Sequence, residues 1–225
     1  PCTALAWSAG ERWGTRGRWL LATSLLAAGL GALVWSGSKA GWLLAMAVAT
    51  LALWRSSAPS RWKLGLTAAL LAAGLAAFGW LYAERLSRGA TSVAARWDYW
   101  NAAAQGWRER PLTGHGPGGF KTVYSRLKAP ESEMAQLAHN DYLQQATDSG
   151  LPGFLAYAAF VVLALVRGCR TRLQIDALPG WIWLGLLGWF AQGLVEFGLY
   201  IPATAWCAFT LLGWWLAQNP SPRTS

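Results

Sequence analysis

Both histidines of this 225-residue chain, His115 and His139, fall in one polar, glycine-punctuated stretch, residues 112–154, LTGHGPGGFKTVYSRLKAPESEMAQLAHNDYLQQATDSGLPGF. His139 sits in Ala138-His139-Asn140-Asp141-Tyr142-Leu143, just ahead of a long apolar run. A neutral imidazole so placed can take a proton from an acceptor hydroxyl, the work of a general base. A lone histidine is more often a hydrogen-bonded structural residue. Here the neighbours Asn140 and Asp141 and the position at a membrane boundary shift the balance toward chemistry. Asp141 is the candidate to orient the ring, although two residues of separation leave direct contact open.

Arg96 and Lys39 are cations close to membrane boundaries. Each reads either as a snorkelling interfacial anchor or as a clamp on phosphate oxygens, for which the arginine fork is the better shaped. Gln192 and Glu196 are four residues apart in an apolar run, so on a helix they share a face. An acid there points into a cavity or pairs with a cation; Lys39 and Arg96 are both eligible partners. His115, inside a glycine turn, is more often structural and is kept as a secondary candidate for substrate contact, with Asn140 and Asp141.

The string Gly114 to Thr122, GHGPGGFKT, imitates a phosphate loop. A Walker loop needs Gly-Lys-Ser/Thr, and Phe120 puts Lys121 out of register. A dinucleotide fingerprint fails too, because no strand precedes the glycines. What remains is a turn whose backbone amides could form a nest beside an anion. The sequence has no DxD, no HExxH and no clustered His/Cys set, so neither a metal nor a cofactor is expected. Cys2, Cys169 and Cys207 lie in three separate regions and suggest no disulfide framework. No GxSxG elbow is present.

The elements that must position these residues are set by composition. The chain is 54% hydrophobic and 13% charged, with 17 tryptophans; soluble domains carry about 25% charged residues. An all-α integral membrane protein is expected, with about six transmembrane helices: residues 19–35, 42–54, 64–82, 151–166, 181–200 and 203–216. The second reaches spanning length only if its helix begins near Gly37. Residues 1–82 then form an N-terminal region with three spans, 83–149 a large polar loop, and 150–225 the last three spans with a short tail. Within the loop, helices are expected over 92–108, 120–127 and 138–147; Arg96, Tyr99, Trp100, Ala103 and Trp107 share one face of the first.

Arg12, Arg16 and Arg18, then Arg55, Arg61 and Lys63, then Arg167, Arg170 and Arg172, and finally Arg223 all fall on one side of six alternating spans. By the positive-inside rule that side is cytoplasmic, which puts the large loop and Lys39 together on the outer face. The net charge of +9 is thereby read as topology and phosphate-facing charge, with a lipid bilayer and no nucleic acid as partner. The start at Pro1, without Met, suggests a fragment lacking upstream spans.

In order along the chain, SGSKAGWL (36–43), Arg96 with Trp100 followed by RPLTGHGPGGF (110–120), AHNDYLQQATDSGLPGF (138–154) and LVEFGLYIPATAW (194–206) resemble the O-antigen ligase/polymerase family of bacterial envelope glycosyltransferases. The resemblance implies a GT-C-like fold and a metal-independent transferase in the bacterial inner membrane, its large loop in the periplasm. The implied donor is a glycan on undecaprenyl pyrophosphate. The implied acceptor is lipid A core, a growing glycan, or a protein such as a pilin. The family's essential histidine falls on His139 and its helix arginine on Arg96. Its outer-loop basic residue falls on Lys39, which keeps the charge and loses the fork. The rival from another class is a solute or bicarbonate transporter-like protein. Transporters place ionisable groups near the bilayer midplane, whereas those of this chain gather at the outer face.

Overall fold

Runs of Ala, Leu and Trp with few β-branched residues favour helix wherever a cap does not intervene. The computed structural model describes residues 14–87, 91–170 and 178–218, and those residues hold helices and no strand. The helices are α1 (Gly14–Ser36), α2 (Lys39–Arg55), α3 (Ser60–Ser87), α4 (Thr91–Glu109), α5 (Gly119–Leu127), α6 (Asp141–Arg170), α7 (Leu178–Gln192) and α8 (Pro202–Gln218), with a 3-10 turn at Gly198–Tyr200. Cys2, Arg12, Arg172 and Arg223 lie outside the described residues.

Among the described residues, three stretches are long and apolar enough to cross a membrane: Trp19–Ser36, Ser60–Ala83 and Asp141–Arg167. The first two are apolar all round and scarcely buried within the protein, as a lipid-facing helix should be. Trp35 and Trp80, near their ends, are 92% and 82% exposed, placed as aromatic belts are. Of the other expected spans, α2, α7 and α8 have 17, 15 and 17 residues. At 1.5 Å per residue they are a few ångströms short of the roughly 30 Å hydrocarbon core. The helix of α2 begins at Lys39, close to Gly37 and three residues before Trp42: Gly37 takes φ 62° and ends α1, and the Ser38 hydroxyl then accepts from Gly41 N at 3.0 Å to cap α2.

The chain divides into two compact units. The first is residues 1–84, 168–188 and 208–225. Within it the Lys63 ammonium donates to the Trp54 and Ser56 carbonyls, at 3.0 and 2.9 Å, a cation satisfying the C-terminal end of α2. The Arg55 guanidinium lies 4.9 Å over the Trp183 ring. Gly74 faces the buried Met46 side chain so closely that a Cβ there would collide with the sulfur; this brings α2 and α3 together.

The second unit is residues 85–167 and 189–207. It takes in almost all of the expected loop, nearly all of α6 and the turn after α7. Its core is Ala102, Ala103, Phe120, Tyr124, Ala135 and Ala138, which packs α4 against α5 and the segment before α6. α6 is two helices joined at Gly150, whose φ of 67° and ψ of −169° break the helical course. A Cβ at Gly150 would strike the Leu112 carbonyl, so the break is also a close crossing of two backbones.

Candidate active site

The glycine turn ties α4, α5 and α6 together. Its nest of amides is already filled. The buried Asp148 carboxylate accepts from Gly118 N at 3.2 Å, from Phe120 N at 3.4 Å and from Gln144 Nε2 at 3.0 Å. It serves both as the N-terminal anion of α5 and as the anion that a phosphate loop would otherwise hold. His115 N and Gly116 N donate to the Thr147 and Asp148 carbonyls at 2.8 and 2.9 Å, and Leu151 N to Pro111 O at 2.7 Å. The His115 ring lies against the α4 backbone, Nε2 2.9 Å from the Gly106 carbonyl. His115 is therefore a staple between the turn and α4.

The expected fifth span is where structure and sequence part. The regular helix of the expected 181–200 span stops at Gln192, and Glu196 follows in a turn whose Glu196 N donates to Gln192 O at 2.9 Å. The reason is tertiary. The carbonyls left over at the end of a helix need donors, and Asn140, Asp141 and Tyr142 supply them. Tyr142 OH donates to Phe190 O at 3.0 Å, Asn140 Nδ2 to Leu194 O at 2.7 Å, and Asp141 N to Gly193 O at 2.7 Å. Further along, the Asp141 carboxylate accepts from Leu199 N at 3.1 Å. Glu196 is thus carried on a turn clamped at both ends by residues 140–142.

Asn140 has a second task. Its Oδ1 accepts from Tyr142 N and Leu143 N, both at 3.0 Å, which caps the start of α6. Asp141 does not orient His139: its carboxylate is 1% exposed and engaged with Leu199. The carboxylate on His139 is Glu196.

Glu196 Oε2 stands 3.3 Å from His139 Nδ1, and Oε1 accepts a hydrogen bond from Arg96 Nη2. Of the two cations eligible as its partner, Arg96 is the one in this bond. All three side chains are partly exposed, at 24%, 26% and 30% for Arg96, Glu196 and His139. Burial works against the Glu196 charge, but hydrogen bonding to His139 and the Arg96 charge outweigh it and hold the carboxyl below its ordinary value. In the neutral tautomer that carries its proton on Nδ1, facing the carboxylate, Nε2 holds the lone pair that a base requires.

The ring is fixed on both faces. Tyr99 stacks on it with centroids 5.5 Å apart, and Phe197 meets it edge-on at 4.6 Å. Trp100 Nε1 donates to the His139 carbonyl at 3.3 Å. His139 itself has φ +50°, a left-handed conformation uncommon for a residue with a side chain. The Arg–Trp pattern of α4 therefore has two separate uses: Arg96 engages the acid, and Trp100 holds the strained histidine backbone.

Arg96, Tyr99 and His139 open onto a cleft of about 560 Å³, further lined by Asp98, Tyr124 and Glu133. Tyr124 OH donates to the Glu133 carbonyl at 3.2 Å, and burial raises the Tyr124 pKa. Arg96 Nε is buried and finds no acceptor among the described residues. Sequence reasoning did not single out Asp148, Tyr124 or Phe197. For Asp148 the signal was the unclaimed nest itself. Lys39, the first residue of α2, belongs to the first unit.

No solved structure matches the chain. Over 86 residues it is 34% identical to an uncharacterized protein of Haemophilus influenzae, a match that covers 36% of this chain and 21% of that relative. The family model described as O-antigen ligase matches residues 22–158, a stretch that holds α4, the glycine turn and His139. The chain belongs to the O-antigen ligase family.

Proposed function

We propose that this chain carries the transfer site of an inner-membrane glycosyltransferase, which moves a glycan from undecaprenyl pyrophosphate to an acceptor hydroxyl at the periplasmic face. The observation that carries the reading is the bridge made by Glu196, one oxygen on Arg96 and the other on His139, beside a cleft of about 560 Å³. A carboxylate on Nδ1 fixes the tautomer of the ring and stabilises the imidazolium that forms.

In the proposed step, His139 Nε2 takes the proton of the acceptor hydroxyl as its oxygen attacks the anomeric carbon. The bond from that carbon to the pyrophosphate oxygen breaks, and the electron pair leaves with the pyrophosphate. Arg96 keeps N–H donors beyond the one given to Glu196, and these offset the charge on the departing phosphate. A phosphate role for Lys39 rests on its charge and place in the sequence and on the family resemblance. A sugar hydroxyl, on a growing glycan or on lipid A core, is the preferred acceptor, because Asp98 and Glu133 line the cleft and carboxylates accept from hydroxyls. A protein hydroxyl is the alternative within the same chemistry.

The test is transfer by the full-length protein in detergent, given a polyprenyl-pyrophosphate glycan and a panel of core, glycan and pilin acceptors. Wild type forms product and His139→Ala, equally well folded, does not. Product formed equally by both would remove His139 from the reaction.

A further inference from the structure

A second cleft, of about 230 Å³, lies between α4 and α5, and Asp98 and Tyr124 line both it and the larger one. We propose that this second cleft is the acceptor-glycan subsite, holding the sugar next to the one whose hydroxyl reacts; the proposal rests on the transferase reading above.

Asp98, Asn101 and Gln105 line one side of it. Their spacing of three and four residues sets them in a row along one face of α4, leading away from Arg96. All three are exposed, and their side chains make no hydrogen bond with any described residue. Across the groove, the Lys128 ammonium is turned onto the Ala129 and Ser132 carbonyls at 3.2 and 2.9 Å. That fixes the far wall and leaves the carboxylate and two carboxamides as the free polar groups. Ala102 and Leu127 supply an apolar strip beside them.

A pyranose ring presents an apolar C–H face with a rim of paired hydroxyls. A carboxylate accepts from such pairs, and a carboxamide both donates and accepts. A solvated helix face would account for the polar residues, but not for their opening, across Asp98 and Tyr124, into the cleft that holds His139. Lipid A core and a growing glycan share this chemistry, so both are probes.

The experiment is saturation-transfer NMR on the full-length protein in micelles, without donor. Free lipid A core oligosaccharide is titrated in one arm and a free O-antigen repeat-unit oligosaccharide in the other. Wild type binds at least one of them. The double variant Asn101→Ala/Gln105→Ala and the groove-filling Gln105→Trp each weaken that binding about ten-fold, on the scale of a lost hydrogen bond or two. In turnover, the same variants raise KM for the acceptor and leave kcat unchanged. The arm that binds identifies the sugar source. Because no chemistry is needed for binding, absence of transfer by wild type to any acceptor, with intact, groove-dependent binding, would count against the transferase reading alone. Wild type binding neither sugar, or both groove variants binding as wild type does, would overturn the subsite.

Discussion

Glu196 Oε2 lies 3.3 Å from His139 Nδ1, and the same carboxylate accepts from Arg96, one hundred residues away in sequence. One acid therefore ties the proposed base to the proposed phosphate clamp. Its own position depends on residues 140–142, which directly follow the base. Removing any one of these groups should disturb the others in a defined direction.

Glu196→Gln keeps the shape of the side chain and removes its charge. Transfer should fall about 100-fold or more, the scale of an acid–base catalyst losing its orienting carboxylate. Near neutral pH its melting temperature should fall by the lost charge-assisted part of the two bonds alone. Glu196→Ala should cost stability too, about 1–3 kcal/mol, because it leaves Arg96 and His139 without their acceptor. Initial rates and thermal melting of the two variants separate these effects.

The Glu196 carboxyl titrates below its ordinary value of 4.5 in the folded protein. A depressed carboxyl contributes stability that is complete above the unfolded value and is lost as pH falls through the folded one. The melting temperature of wild type minus that of Glu196→Gln should therefore be constant above pH 4.5 and shrink below it. A difference that stays flat as the pH is lowered would show that Glu196 is not held ionised by its two partners.

Asn140 caps α6 with Oδ1 and holds the Glu196 turn with Nδ2. Asn140→Asp keeps the cap and replaces the donor to the Leu194 carbonyl with a repelling oxygen. It should cost about 1–2 kcal/mol, and transfer should fall because Glu196 is no longer held. Asn140→Ala should lose the cap as well, about a further 1 kcal/mol. Equal activity in wild type and Asn140→Asp would mean that the turn is positioned without this bond.

Asp148 fills the glycine turn and touches no part of the transfer site. Asp148→Ala should leave Gly118 N, Phe120 N and the Gln144 amide without an acceptor, at a cost of about 2–4 kcal/mol. Asp148→Asn should recover part of that. Denaturation midpoints of the two variants provide the measurement, and a null effect of Asp148→Ala would contradict its role as the internal anion.

Much of this was legible before the structure. The α4 face with Arg96, Tyr99 and Trp100, the glycine turn and the short helix after it follow from spacing, because local periodicity sets them. The end of α7 could not be read: residues 193–201 are as apolar as those before them, and what unwinds them is capture of their carbonyls by Asn140, Asp141 and Tyr142. For the same reason the partner of Glu196 stayed open between Lys39 and Arg96, since a contact across a hundred residues leaves no local pattern. Asp148 resembled any acid on a helix until the turn it fills was seen.

The most direct test of the central claim is a double-mutant cycle on transfer by the full-length protein, with His139→Ala, Glu196→Gln and the two combined. If Glu196 acts through His139, the double variant is no slower than His139→Ala alone, because groups working as one unit are strongly non-additive. If the two losses multiply, Glu196 and His139 act independently, and the bridge between them is not what makes the site work.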